Sequence, residues 1–259
     1  MDKIKNLQNQ KSPITCLTAY TFPIAKILDN HCDVILVGDS LGMAIYGMEN
    51  TLDVSVQMMI DHGKAVVKAA KKALILVDIP YGSFENSKEQ ALKTAQKIMR
   101  ETACDAVKIE TSKNTVETIK FLVENKIPVM GHIGLLPQKI KEMGGYKYQG
   151  KDQDSAAEIL QIALDLEKVG AFAIVIEGVP AKLATQISKS IKIPTIGIGA
   201  SVDCSGQVLV IDDLLGLNQI FKPRFVKKYA NLADEIEKSV QEFCSDVKSK
   251  KFPSQEHII

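Results

Sequence analysis

A chain of 259 residues, 46% of them apolar, suits one α/β barrel of roughly 250 residues and is too apolar for disorder. The net charge of +1, with lysines and acids interspersed, argues against nucleic acid as a partner and against a polybasic membrane anchor. Cys16, Cys32, Cys104, Cys204 and Cys244 are odd in number and form no C-x-x-C pair, which favours reduced thiols in the cytoplasm.

Met1 to Ser12 is polar, lacks the apolar stretch of a signal peptide, and is assigned no element. No apolar run approaches ~20 residues, so no membrane span is expected. Ile14 to Tyr20 reads as a first strand and Phe22 to Asn30 as a helix. Val34 to Asp39 is the second strand, followed by a longer connection and a helix from about Ser55 to Lys72. Leu74 to Asp78 is the third strand. Ser87 opens the next helix, with Gln90 three residues on as a capping box. Ala106 to Glu110 is the fourth strand, Thr115 to Glu124 a helix, and Pro128 to His132 the fifth strand.

The loop Ile133 to Asp154 is long and carries Gly144, Gly145 and Gly150. With Tyr146, Lys147 and Tyr148 it reads either as a lid or as a solvated loop. Ser155 and Glu158 predict a capping box for a helix that runs to about Val169. Phe172 to Glu177 is the sixth strand, Pro180 to Lys189 a helix, and Pro194 to Gly199 the seventh strand. Gln207 to Ile211 and Arg224 to Tyr229 compete for the eighth. The second is preferred, because it leaves room for a helix between. Asn231 to Lys250 is a strong amphipathic helix.

Alternating strands and helices give a parallel sheet. The expected architecture is a (β/α)8 TIM barrel in a single domain spanning residues 1–259, with a doubly wound open sheet as runner-up. Successive strands then end at Asp39, Asp78, Lys108 with Glu110, His132, Glu177 and Gly199. These ends share one mouth. Carboxylates gathered there repel one another and call for a cation, and all-oxygen donors without thiols favour Mg²⁺.

Each residue alone also has an ordinary role. Asp39 or Asp78 could cap a helix, and Lys108 and Glu110 could lie on a solvated strand face. His132 could be a hydrogen-bonded core residue, and Glu177-Gly178 a turn. What favours chemistry is the repetition over consecutive strands. Gly197-Ile198-Gly199-Ala200 lacks the third glycine and the downstream acid of a dinucleotide fingerprint, so no phosphate site is assigned there.

The motifs themselves are distinctive. Val37-Gly38-Asp39-Ser40-Leu41-Gly42-Met43, Asp78-Ile79-Pro80-Tyr81, Val107-Lys108-Ile109-Glu110 and Gly131-His132-Ile133-Gly134-Leu135 occur in that order. Gly144-Gly145-Tyr146-Lys147, Glu177-Gly178-Val179-Pro180, Ile196-Gly197-Ile198-Gly199-Ala200 and Glu256-His257 follow. Together, over nearly the whole chain, they resemble the ketopantoate hydroxymethyltransferase family.

That resemblance implies a (β/α)8 barrel that uses Mg²⁺ and 5,10-methylenetetrahydrofolate as co-substrate. It implies transfer of a one-carbon unit to 2-oxoisovalerate, giving ketopantoate for pantothenate and coenzyme A. It also implies a homo-oligomer, commonly a decamer. By position, Asp39 and Asp78 would be metal ligands, with Glu110 completing the metal environment. Ser40 and Lys108 would hold the keto acid, together with the metal-bearing Asp39 and Asp78. Glu177 would accept the proton and His132 would donate a hydrogen bond nearby. Leu136, Ser201, Ser205 and Asp212 depart from the family's usual Thr, Gly, Asp and His. An Mg²⁺-dependent C–C lyase or aldolase acting on another 2-oxo acid is the alternative, and a catalytically silent barrel is a third.

Overall fold

Four strands are buried at every position, apolar except for the polar groups toward their carboxyl ends: Val34–Val37, Leu74–Asp78, Ala106–Glu110 and Val129–Gly134. The computed structural model describes residues 2–219 and 223–258. Its elements are α1 (Asp2–Asn9), β1 (Ile14–Thr18), α2 (Phe22–Leu28), β2 (Val34–Val37), α3 (Leu41–Ala44), α4 (Val56–Ala69), β3 (Leu74–Asp78) and α5 (Lys88–Thr102). Then come β4 (Ala106–Glu110), α6 (Val116–Glu124), β5 (Val129–Gly134), α7 (Gln153–Lys168), β6 (Ala173–Glu177), α8 (Ala181–Ser190), β7 (Thr195–Ile198) and β8 (Gly206–Leu209). Two helices follow, α9 (Ile211–Leu215) and α10 (Leu232–Lys248).

The eight strands form a closed parallel barrel in sequence order, as the alternation predicts. β1 pairs with β8, with Ile14 opposite Gly206 and Leu17 opposite Leu209. Gly206 makes this seam possible. A Cβ there would come within 2.3 Å of the Ile14 carbonyl oxygen, far inside contact distance.

The preferred eighth strand, Arg224 to Tyr229, is corrected: those residues form turns and irregular chain, and the competing segment supplies the strand. The connection 199–205 after β7 holds no helix, so the β–α rhythm lapses where the sequence reading relied on it. The capping box at Ser155 is also corrected. Asp152 is the N-cap of α7, and its side chain accepts from the Ser155 amide at 2.9 Å. At α5 the Ser87 side chain accepts from the Gln90 amide as expected, but Gln90 returns its bond to the Asn86 amide.

Side chains of alternate strand residues fill the barrel: Val34 and Leu36, Leu74 and Leu76, Ala106, Met130, Ala173 and Val175, with Ile14, Cys16, Ile196 and Val208. Helix α1, not expected from the polar terminus, closes the amino-terminal end. Leu7 joins the core cluster with Ile4 packed against it. Lys3 Nζ donates to the Ala73 carbonyl, and Gln8 Nε2 to the Phe172 carbonyl. These two carbonyls immediately precede β3 and β6, so the helix is tied to strand beginnings.

By its contacts the chain divides into two units, Met1–Val210 and Ile211–Ile259, and the barrel lies wholly in the first. In the second, α10 presents Ile236, Val240, Phe243 and Val247 as an exposed apolar stripe.

Candidate active site at the carboxyl end of the barrel

Strand periodicity sets which residues meet at the mouth. Inward positions on β3 run Leu74, Leu76, Asp78, and on β4 Ala106, Lys108, Glu110. On β5 they run Met130, His132, and on β6 Ala173, Val175, Glu177. Each column is apolar at its base and charged or polar at its top. Asp39, Asp78, Lys108, Glu110 and His132 are all buried, at 2–7% exposure. A charged group at such depth requires a partner, and the partners define the site.

Asp78 and Lys108 are register neighbours across β3 and β4, and Lys108 Nζ lies 2.9 Å from Asp78 Oδ1. The other Asp78 oxygen accepts from the Asp39 amide at 3.0 Å, which fastens the turn after β2 to the end of β3. Lys108 Nζ is also 3.4 Å from His132 Nδ1. A lysine ammonium can only donate, so Nδ1 is the acceptor and the ring proton sits on Nε2. That nitrogen is 3.2 Å from Glu177 Oε2, off the line of a well-directed hydrogen bond. Asp78, Lys108, His132 and Glu177 therefore form a continuous polar row over four successive strands.

The electrostatics follow from burial. Asp39 is pushed up to about 7, first by burial and then by the Asp78 charge. Glu110 is raised well above the usual carboxylate range, again chiefly by burial, with the Asp39 charge adding to it. Burial works against the Lys108 charge, but Asp78 and Asp39 outweigh it and the net shift is upward. His132 is lowered by burial and then by the Lys108 charge, so the imidazole is neutral near pH 7.

Gln138, which the sequence reading did not single out, connects the carboxylates. It sits in the one-turn 3-10 segment Pro137–Lys139 after β5 and is 4% exposed. Its Nε2 donates to Asp39 Oδ2 at 2.7 Å and to the Ile79 carbonyl at 3.0 Å. Its amide donates to both Glu110 oxygens, at 3.0 and 3.1 Å. Ser40 is held from the connection after β1: the Tyr20 and Ser40 hydroxyls are 2.8 Å apart. None of the acids serves as the helix cap that each could have been; Ser40 is the N-cap residue of α3.

Glu177 owes its position to Gly134. The glycine has φ +94°, and a Cβ there would lie 2.2 Å from the Glu177 carbonyl oxygen. The adjacent Leu135 amide donates to that same oxygen at 2.8 Å. The glycine-rich loop returns to the mouth: the Gln149 amide donates to the Gly178 carbonyl, and the Tyr146 hydroxyl reaches Met43 Sδ at 3.7 Å. The Tyr146 hydroxyl is shifted upward by burial and by the charges of Glu177, Asp39 and Glu110. Ser201 and Ser205, two departures from the family pattern, are absorbed locally. Ser201 Oγ meets Thr185 Oγ1 at 2.9 Å, and Ser205 Oγ accepts from the Thr195 amide.

As the side chains stand, no three His, Cys, Asp or Glu among the described residues converge as a metal cage. Asp78 is turned to Lys108, Glu110 to the Gln138 amide and Asp39 to the Gln138 side chain. The donor chemistry nonetheless suits a hard divalent ion. Asp39 and Asp78 are adjacent, buried and mutually repelling, and Gln138 Oε1 is buried without a hydrogen-bond donor.

The ketopantoate hydroxymethyltransferase family model matches residues 1–255. A 3-methyl-2-oxobutanoate hydroxymethyltransferase of Rhizobium etli is 52% identical over 245 residues, 95% of this chain and 90% of the relative. One from Brucella canis is 48% identical over 256 residues, 99% of this chain and 93% of the relative. Among solved structures, phosphonopyruvate hydrolase in complex with oxalate and Mg²⁺ has a TM-score of 0.63 at 14% identity, covering 100% of this chain and 93% of that one. 2,3-Dimethylmalate lyase has a TM-score of 0.61 at 14% identity, covering 99% and 86%. Such low identity speaks for a shared fold alone. The whole-length match and the half-identical relatives speak for more: the chain belongs to the ketopantoate hydroxymethyltransferase family.

Proposed function

We propose that this protein transfers a hydroxymethyl group from 5,10-methylenetetrahydrofolate to 2-oxoisovalerate (3-methyl-2-oxobutanoate), forming ketopantoate, in a Mg²⁺-dependent reaction. The observation that carries the reading is identity of about one half to 3-methyl-2-oxobutanoate hydroxymethyltransferases over nearly the whole chain. The solved neighbours named as a hydrolase and a lyase are too distant in sequence to favour the lyase alternative.

The site assigns the work as follows. Asp39 and Asp78 would hold Mg²⁺, with Glu110 behind them. When bound, Mg²⁺ supplies Lewis-acid polarisation of the keto group, which makes the neighbouring C–H more acidic. Glu177 is the base that removes the C3 proton; the resulting enolate bonds to the folate methylene carbon, both carbon–nitrogen bonds of that carbon are given up to leave tetrahydrofolate, and water supplies the hydroxyl oxygen of the product. His132, neutral and protonated on Nε2, steadies the Glu177 carboxylate from 3.2 Å. Lys108 and Ser40 face the keto acid. The Lys108 charge, held by the buried acids, offsets the substrate carboxylate.

No described helix is long and apolar enough to cross a membrane. A cytoplasmic homo-oligomer, as in the family, is consistent with the exposed stripe on α10, and sedimentation at micromolar concentration measures its size.

The test is proton exchange in heavy water with 2-oxoisovalerate and Mg²⁺ but no folate, followed by NMR, alongside an assay for ketopantoate with folate present. Exchange at C3 and ketopantoate formation are the expected results. Cleavage of other 2-oxo acids without folate dependence would move the protein to the lyase class.

A further inference from the structure

Gln138 is the only residue described above that reaches two of the buried carboxylates at once, and nothing in the proposed chemistry uses it. Its side chain bridges two strand ends. Nε2 is shared between Asp39 Oδ2, after β2, and the Ile79 carbonyl, after β3. Its main-chain amide holds Glu110, at the end of β4, by both oxygens. The 3-10 turn that carries it begins three residues after the end of β5. One residue therefore ties two acids, Asp39 and Glu110, to the main chain just beyond β3.

Its remaining polar atom is informative. Gln138 Oε1 is buried and takes no hydrogen bond from the protein. A buried amide oxygen without a donor costs free energy, and the identity of Nε2 is fixed by its two acceptors, so the amide cannot be flipped to relieve it. The oxygen therefore suits a donor brought by a ligand. A hydrated divalent ion beside Asp39 would bring one, since the waters on such an ion are strong donors.

We infer that Gln138 is a positioning residue for the divalent ion: its amide orients Asp39 for coordination, and Oε1 accepts from a water on the ion. The inference rests on the metal reading proposed above. Outer groups that orient metal ligands are worth about 10–100-fold in metal affinity.

Gln138→Met keeps the length and volume, and the main-chain bond to Glu110, but has no amide. The probe is Mn²⁺, which takes the same oxygen ligands as Mg²⁺ and whose free form is counted by EPR. The protein is first stripped with chelator, and its fold is checked by circular dichroism. The expected result is a folded variant that binds Mn²⁺ roughly 10–100-fold more weakly than the parent. If the methionine variant does not fold, Gln138→Asn is measured instead. It retains an amide withdrawn by one methylene, and the same loss is expected. Affinity within about twofold of the parent in a folded variant, with or without a loss of thermal stability, overturns the inference and leaves the metal reading intact. A parent that binds no Mn²⁺ overturns both.

Discussion

The two ends of the barrel solve opposite problems. At the amino-terminal end, α1 covers the strand beginnings with Leu7 and Ile4, and its polar side chains settle on main-chain carbonyls. Among the described residues, no buried charge is stored there. At the carboxyl end, charged and polar groups are nearly as deeply buried as the core, and Gln138 Oε1 has no protein donor. Burial of that kind is costly unless a partner compensates. The difference teaches where stability and chemistry reside: one end lowers the free energy of the fold, and the other holds charges at a cost that a ligand can offset.

The comparison is broken most severely at Glu177. Glu177→Gln keeps the shape but cannot accept a proton. Deuterium exchange and turnover should both fall by ~10²–10⁴-fold, while the melting temperature stays near the parental value. Near-parental exchange would mean that a different group is the base.

At the opposite end, Leu7→Ala should cost about 2–5 kcal/mol of stability by urea unfolding, the range for a buried leucine. Turnover per folded molecule should not change. A variant that is stable yet inactive would erase the division between the ends.

A third measurement sharpens the carboxyl end by pH. The folded Asp39 carboxyl is raised to about 7, so between its ordinary range near ~4 and that value the folded chain holds a proton that the unfolded chain has released. Stability of the chelator-stripped protein should therefore fall as pH rises from about 4 to 7, then level off as far as this group is concerned. Asp39→Asn should flatten that slope, and Mg²⁺ should raise the parental melting temperature more at pH 8 than at pH 6. Identical slopes in parent and variant would contradict the buried-charge account.

The smallest effect belongs to Lys3, whose pairing with Asp105 is partly exposed. Lys3→Met should cost at most about 1 kcal/mol, read from the same unfolding curves.

Much of this was legible in the sequence, because strand periodicity and strand ends are local signals. The run Leu74 to Asp78 shows both a doubly buried strand and the polar group that leaves it, and the same holds for Ala106 to Glu110. β8 was harder. Gly206–Leu209 has only four residues, alternates between buried and exposed, and follows β7 without a helix. Its partner is β1, at the far end of the sequence, so no neighbouring pattern announces it. Helix α1 has a single buried residue, Leu7, too little for an apolar stripe. Gln138 gave no signal at all. Its importance lies in which atoms its amide meets, and those belong to residues 99 and 59 positions away.

The seam between β1 and β8 has a consequence for how the protein is made. Ile14 must wait for Gly206, ~190 residues later, and at a synthesis rate of about 5–20 residues per second that is roughly 10–40 s. Throughout that interval the outer edge of β1 is an unpaired strand on a growing chain, the kind of edge that other chains can join. The barrel therefore stays open through most of its synthesis, and its window of greatest exposure to aggregation closes only when a four-residue strand with a glycine at its start docks against a segment made long before.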